Sequence, residues 1–73
     1  MVDYSKLLKL IREELIISQT DLANLLGVSF ASVNRWENKK TEPTLSAKRA
    51  IKALCNKYNI HMEETENGNS KKE

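Results

Sequence analysis

Apolar residues recur at intervals of three and four along most of the chain, the spacing that places them on one face of an α-helix. The first stripe predicts a helix that begins near Asp3 to Ser5 and ends near Ile17. Its inward positions are Tyr4, Leu7, Leu8, Ile11 and Leu15. A later stripe predicts a helix over about residues 45–58, preceded by Thr44 as a competent N-cap. Its inward positions are Ala47, Ala50, Ile51, Leu54, Cys55 and Tyr58. No segment shows the alternation typical of a strand, so the sequence predicts an all-α fold.

Residues that start and stop helices divide the middle of the chain. Ser18 and Asp21 have the spacing of a capping box, in which each side chain accepts a hydrogen bond from the other residue's backbone amide. A short second helix therefore begins there and stops at Gly27, the residue best able to take the left-handed conformation. Ser29 can cap a third helix over residues 30–37. The sequence thus predicts two helices joined by a three-residue turn.

One face of this third helix suits neither a core nor an ordinary solvated surface. At 100° per residue, a single arc of roughly 140° holds Phe30, Ala31, Asn34, Arg35 and Asn38. Val33 and Trp36 lie on the other side and are the expected core anchors. Amide, guanidinium and apolar groups of this kind recognise base edges in the DNA major groove. Phe and Arg also occur in surfaces that bind other proteins, so the arc alone leaves open whether it binds DNA or a protein partner.

Composition limits the chain to one small domain with a tail. Its 73 residues include 12 Lys and Arg against 10 Asp and Glu, a formal net charge of +2. This total hides an asymmetry, because residues 1–58 hold ten basic and six acidic residues while residues 59–73 hold two and four. We expect residues 1–58 to form the folded domain and residues 59–73 to form a disordered polar tail. The basic residues cluster between Arg35 and Lys52, and charge alone fits a surface for an acidic partner and an ordinary solvated surface equally well.

The residue types that carry catalysis or bind metals are scarce. Cys55 is a lone cysteine expected to be a small buried apolar group, and His61 has no second ligand at metal-binding spacing. Glu13 and Glu14 diverge by 100° on a helix and read as a solvated face. No signal peptide and no apolar run of about 20 residues is present. We therefore expect a cytoplasmic protein with no enzymatic activity, no cofactor, no metal and no membrane association.

The run "QTDLANLLGVSFASVNRWEN" closely resembles the helix-turn-helix family of phage lambda-type repressors and Cro proteins. Ala23 stands at the tight helix crossing, Gly27 in the turn and Val33 where the third helix packs on the second. The resemblance covers about residues 5–57. It implies a compact lambda repressor-like DNA-binding domain of four helices, or five as in some relatives, with the helix-turn-helix at helices 2 and 3.

The resemblance also implies roles for particular positions. Residues that match positions facing the major groove are Ser29, Phe30, Ala31, Asn34 and Arg35. Residues that match the loop holding the phosphate backbone are Asn38, Lys39 and Lys40. Gln19, at the start of the second helix, matches a position that donates to a phosphate, with Ser18 as a helper. Arg12 and Glu37 match a buried ion pair that ties the first helix to the end of the third.

Two residues depart from the family pattern. Phe30 stands where many relatives have a polar residue that contacts a base, so we expect apolar contact there with a thymine methyl group. Lys39 stands where relatives usually have Gly. A non-Gly residue in a left-handed conformation costs roughly 1 to 2 kcal/mol. If Lys39 keeps that conformation, its replacement by Gly should stabilise the protein and weaken its binding.

Two functions from different classes follow from the sequence. The first is a sequence-specific double-stranded DNA-binding protein, a transcriptional repressor. The sequence leaves open whether it binds as a homodimer on an inverted-repeat operator, as a monomer, or as the DNA-binding part of a larger protein. The second is an antitoxin or adaptor that binds a protein partner through its acidic tail. The basic cluster and the face of the third helix favour DNA.

Overall fold

The computed structural model of the protein describes residues 2–61, and within them it contains four α-helices and no β-strand. These are α1 (Tyr4–Leu15), α2 (Gln19–Leu26), α3 (Phe30–Glu37) and α4 (Leu45–Lys57). The predicted all-α class and the order of the helices are confirmed. None of these helices has the length and apolar character needed to cross a bilayer.

Each helix begins at a side chain that satisfies one of its free backbone amides. The four N-caps are Asp3, Ser18, Ser29 and Thr44. In every case the cap accepts from the amide three residues on, and at Ser18 the carboxylate of Asp21 also accepts from the Ser18 amide at 3.2 Å. The predicted capping box is therefore present. Such caps each stabilise a helix by about 1 kcal/mol.

All four helices also end in the same way, with one residue in the left-handed conformation. These residues are Ile16, Gly27, Lys39 and Asn59, with φ between 56° and 73°. The amide of the next residue donates back to the carbonyl five residues earlier, for example from Ile17 to Arg12 at 3.0 Å. Only one of the four is glycine. The first helix consequently ends at Leu15, before the predicted end near Ile17, because Ile16 has already left the helix.

The core lies where α1, α2 and α3 meet and is completed by α4. Its fully buried side chains are Leu8, Ile11, Leu22, Val33 and Ile51. Cys55 is buried among the α4 core residues, as expected for a small apolar group. Tyr58 was expected to face inward but is 41% exposed, because it lies just beyond the last turn of α4.

The folded part of the chain extends beyond the boundary predicted at Tyr58. Asn59 takes the left-handed conformation that ends α4, and the Ile60 amide donates to the Cys55 carbonyl at 2.8 Å. The side chain of Ile60 packs against the core. Residues 59–61 therefore differ from the predicted tail, and the rest of that segment, residues 62–73, lies outside the described residues.

Candidate nucleic-acid interface

A tight turn of Gly27, Val28 and Ser29 joins α2 to α3. Gly27 has φ of 73°, and the Val28 amide donates to the Ala23 carbonyl at 3.0 Å, so the last turn of α2 is closed. Ser29 then caps α3 by accepting from the Ser32 amide at 3.1 Å. These contacts set the position of α3 relative to α2 over very few residues.

Two apolar side chains hold the inner side of α3 against the core. Val33 is fully buried and Trp36 is 7% exposed, which confirms the predicted anchors. Because both lie on one side of a helix of eight residues, the other side is turned outward.

The outward side of α3 brings together the residues predicted to read DNA. Phe30, Ala31 and Arg35 are exposed, Asn34 is half-buried, and the exposed Ser29 lies at the start of the helix. Phe30 is 51% exposed, an unusual position for a large aromatic side chain. An exposed apolar ring beside a guanidinium and an amide forms a surface suited to a partner.

The first turn of this surface has one internal constraint. The Ser29 hydroxyl serves as the cap of α3 and also lies 3.0 Å from the Ser32 hydroxyl. Ser29 therefore has a structural role in addition to its predicted contact.

Beneath this surface, an ion pair between the half-buried Arg12 and the buried Glu37 joins α1 to the end of α3. The Arg12 guanidinium donates from Nε to Glu37 Oε2 and from Nη2 to Glu37 Oε1, both at 2.8 Å. Glu37 is only 4% exposed. The Ser5 hydroxyl also donates to the backbone carbonyl of Glu37 at 2.6 Å, a second contact between the same two helices. Two-point pairing fixes the relative orientation of both groups.

Glu37 remains charged despite its burial. Burial alone would raise the pKa of the Glu37 carboxyl, but hydrogen bonds from Arg12 and Gln19 and the charge of Arg12 outweigh it and lower the pKa below its usual value. The hydrogen bond to Glu37 raises the pKa of Arg12, against the effect of burial, and the charges of Glu37 and Glu13 add to this increase. At neutral pH the pair is therefore a carboxylate and a guanidinium, and Glu37 can only accept hydrogen bonds.

A line of side-chain amides runs from this carboxylate to the outer surface of α3. Gln19 Nε2 donates to Glu37 Oε1 at 3.0 Å, and Asn34 Nδ2 donates to Gln19 Oε1 at 3.3 Å. Asn38 Nδ2 then donates to Asn34 Oδ1 at 3.2 Å. We call Gln19, Asn34 and Asn38 the amide relay. It connects the ion pair directly to the candidate interface, since all three residues were predicted to contact DNA.

The position of Gln19 adds to what the sequence predicted. Its side chain is half-buried and is engaged with Glu37 and Asn34, instead of extending into solvent. Its suggested helper, Ser18, uses its hydroxyl to accept from the Asp21 amide at 3.0 Å. The contact of Gln19 with a phosphate stays a prediction.

The loop after α3 presents two exposed lysines beside the amide relay. Lys39 is left-handed, with φ of 61°, and its Nζ lies 3.6 Å from the Asp3 carboxylate. The Lys40 amide donates to the Arg35 carbonyl at 2.9 Å, which closes the end of α3. The side chain of Lys40 is exposed next to this closure. The loop therefore offers positive charge at the carboxyl end of α3.

Part of the basic region between Arg35 and Lys52 is used within the fold. Lys48 Nζ lies 5.2 Å from the centre of the Tyr4 ring and 3.4 Å from the Glu42 carboxylate. Lys48 thus ties α4 to the start of α1. The exposed basic residues of this region are Arg35, Lys39, Lys40, Arg49 and Lys52.

The amide relay was not foreseen from the sequence. Gln19 and Asn34 are 15 residues apart and on different helices, so no helical spacing rule relates them. The resemblance assigned Gln19 and Asn34 separate contacts with DNA and did not indicate that they bind each other.

A family model described as helix-turn-helix matches residues 8–65, which is more than half of the chain. The match contains all of α2, the turn at Gly27, α3 and α4. Comparisons with curated proteins and with solved structures gave no match.

Proposed function

Because the chain belongs to the helix-turn-helix family of phage lambda-type repressors and Cro proteins, a family of DNA-binding transcription regulators, we propose that it is a repressor that binds a specific double-stranded DNA operator. The third helix lies in the major groove in this proposal. Repression is steric, since a protein bound at the operator competes with polymerase for the same DNA.

The observation that carries this proposal is the exposed face of α3. Arg35 can pair with guanine, Asn34 with adenine, and Phe30 can pack on a thymine methyl group. These three side chains share one side of a helix whose other side is fixed to the core by Val33 and Trp36. An α-helix fits into the DNA major groove, and the polar and apolar side chains on the outer side of α3 can then contact the base edges.

The loop after α3 supplies contacts that do not depend on sequence. Lys39 and Lys40 are exposed, and the amide of Asn38 has a second hydrogen that its bond to Asn34 leaves available. Basic and amide groups at such a position bind phosphate oxygens and set the register of the helix on DNA.

A pair of chains would supply the contact area that one chain lacks. One module of this size buries about 600 to 1,000 Å² on DNA, and specific sites commonly need more. We therefore propose a homodimer on an inverted repeat, with half-sites about 34 Å apart. The two copies of α3 would then enter successive major grooves on one side of the duplex.

Selection of the purified full chain from a random duplex library at about 100 mM salt tests the proposal. Enrichment of an inverted repeat supports a dimeric operator-binding repressor, and a single half-site supports a monomeric DNA reader. If a folded protein enriches no sequence, DNA recognition is excluded and the face of α3 binds a protein. For a dimer that contacts six to ten phosphates, the affinity should fall by about 10³ to 10⁵ between 50 and 200 mM salt.

Two arginine variants make the test specific to α3. Arg35→Ala removes an exposed guanidinium from the proposed reading face, and Arg49→Ala removes one from α4. Both lower the net charge by one. We expect Arg35→Ala to abolish the preference for guanine at one base pair, whereas Arg49→Ala keeps every preference. Equal effects of the two variants would mean that the charge matters and the position of Arg35 does not.

A further inference from the structure

The hydrogen bonds of the amide relay can run in only one direction. Glu37 is ionised and offers only acceptors, so Gln19 must present its Nε2 to it. The Oε1 of Gln19 is then directed at Asn34, which must donate a hydrogen bond to it from Nδ2. Consequently the Oδ1 of Asn34 is the atom that accepts from Asn38. The buried charge of Glu37, at the carboxyl end of α3, thus determines the orientation of the Asn34 side-chain amide.

This orientation leaves Asn34 with one donor and one acceptor for a partner. A side-chain amide has two hydrogens on its nitrogen and two lone pairs on its oxygen. In Asn34 the relay uses one hydrogen, toward Gln19, and one lone pair, from Asn38. The remaining hydrogen and lone pair match adenine, whose major-groove edge offers the N7 acceptor and the N6 donor. Guanine presents two acceptors there, so its O6 would face the Asn34 oxygen without a hydrogen.

We propose that Gln19 is a positioning residue that holds the Asn34 amide in the orientation that selects adenine over guanine. This inference rests on the proposed function, because it assumes that α3 lies in the major groove. It also changes the role of Gln19, which acts through a neighbouring side chain and not through a phosphate. The half-burial of Gln19 and Asn34 supports it, since water competes less for hydrogen bonds that are partly shielded.

The expected size of the effect of Gln19 on base preference follows from the fact that the relay orders the Asn34 side chain before DNA binds. Immobilising one flexible side chain at an interface lowers an affinity by a factor of roughly 2 to 13. Without Gln19, the Asn34 side chain would become ordered only when DNA binds. The orientation with its oxygen and nitrogen exchanged would then compete with the orientation that pairs with adenine. We therefore expect loss of Gln19 to lower the adenine-over-guanine preference by about 2- to 13-fold.

A double-mutant cycle in the full chain tests the proposal. Gln19→Met keeps the length of the side chain and removes its amide, while Asn34→Ala removes the proposed reader. The base pair is located first, as the one whose preference Asn34→Ala abolishes in the selected site. Affinities for that site with adenine or guanine at this position are then compared. Gln19→Met should reduce the preference in the wild-type background and change nothing further in the Asn34→Ala background.

Each other outcome overturns the proposal. A uniform loss of affinity that is the same with and without Asn34 would show that Gln19 contacts a phosphate itself. An unchanged preference would show that Asn34 needs no positioning. If the wild-type protein selects no DNA sequence, the proposed function fails together with this inference, and that result is seen before any variant is made.

A measurement on the free wild-type protein covers the case in which Gln19→Met does not fold. The relay predicts that the side-chain amide protons of Asn34 exchange with water more slowly than those of Asn24, an exposed asparagine on α2. Nuclear magnetic resonance measures both rates in the same sample. Equal rates would show that the relay does not hold Asn34 in solution and would overturn the proposal.

Discussion

Replacing Lys39 by glycine should stabilise the protein and lower its affinity for DNA. Lys39 has φ of 61°, so its Cβ is held in the left-handed region. Relief of this strain is worth about 1 to 2 kcal/mol. The greater freedom of glycine in the unfolded chain offsets about 0.4 to 1 kcal/mol. The exposed contact with Asp3, at 3.6 Å, contributes at most about 1 kcal/mol. The central values favour Lys39→Gly by about 0.3 kcal/mol, or roughly 1 to 2 °C in Tm.

Ile16→Gly is a matched control for the backbone effect. Ile16 has φ of 56° and is 88% exposed, so its replacement relieves the same strain and loses little buried area. Because it also lacks an ion pair, we expect it to gain about 1 kcal/mol, or roughly 4 to 8 °C in Tm.

Thermal melting and the salt dependence of DNA affinity separate the two effects. Lys39→Gly should reduce the slope of log affinity against log salt by about one per protomer, since one phosphate contact is lost. Ile16→Gly should keep the slope. A loss of more than about 1 kcal/mol for Lys39→Gly would refute the reasoning, because the freedom of glycine and the lost Asp3 contact cannot explain a larger loss if Lys39 is left-handed in solution. An unchanged slope would remove Lys39 from the phosphate contacts.

Further predictions concern the ion pair, the cysteine and the aromatic reader. Glu37→Ala leaves Arg12 without its partner and should cost about 3 to 5 kcal/mol, so an unchanged Tm would contradict the buried pair. Since the pKa of Glu37 is lowered in the folded state, its stabilisation is complete above the unfolded value of about 4.3 and is lost as the pH falls through the lower folded value. Urea titrations should therefore show a steeper loss below about pH 4.5 for the wild type than for Glu37→Gln. Burial raises the pKa of the Cys55 thiol, so a thiol reagent at neutral pH should modify it only at the rate of unfolding, and fast labelling of folded protein would contradict this. Phe30→Gln should change the preference at one base pair from thymine to adenine, and selected sites indifferent to this substitution would exclude Phe30 from base contact.

The parts of the fold that sequence predicts well are those determined by local contacts. Ser18 and Asp21 satisfy each other across three residues, and the caps of the other helices obey the same spacing. The left-handed Ile16 could not be predicted, because nothing in a β-branched residue favours that conformation. It is held there by the closure of α1 onto Arg12 and by the packing of Ile17 against the core.

Contacts between residues far apart in the sequence are the part of the candidate interface that could not be predicted. The face of α3 follows from helical periodicity alone, so Phe30, Asn34 and Arg35 could be placed together in advance. The half-burial of Gln19 depends on how α1, α2 and α3 converge, which no spacing within one helix expresses. Ile60 was assigned to a polar tail because that segment holds almost no apolar residues, whereas its packing is decided by the end of α4.

Glu37 lies where three helices converge, and this position separates two kinds of evolutionary change. Its contacts come from Ser5 and Arg12 of α1 and from Gln19 of α2, and the amide relay carries its influence along α3. Every one of these residues precedes α4. In the proposed function, substitutions on the outer side of α4 therefore leave these contacts, and with them the choice of bases, unaltered. On that proposal, the surface of α4 can change in evolution while the operators of the protein stay the same.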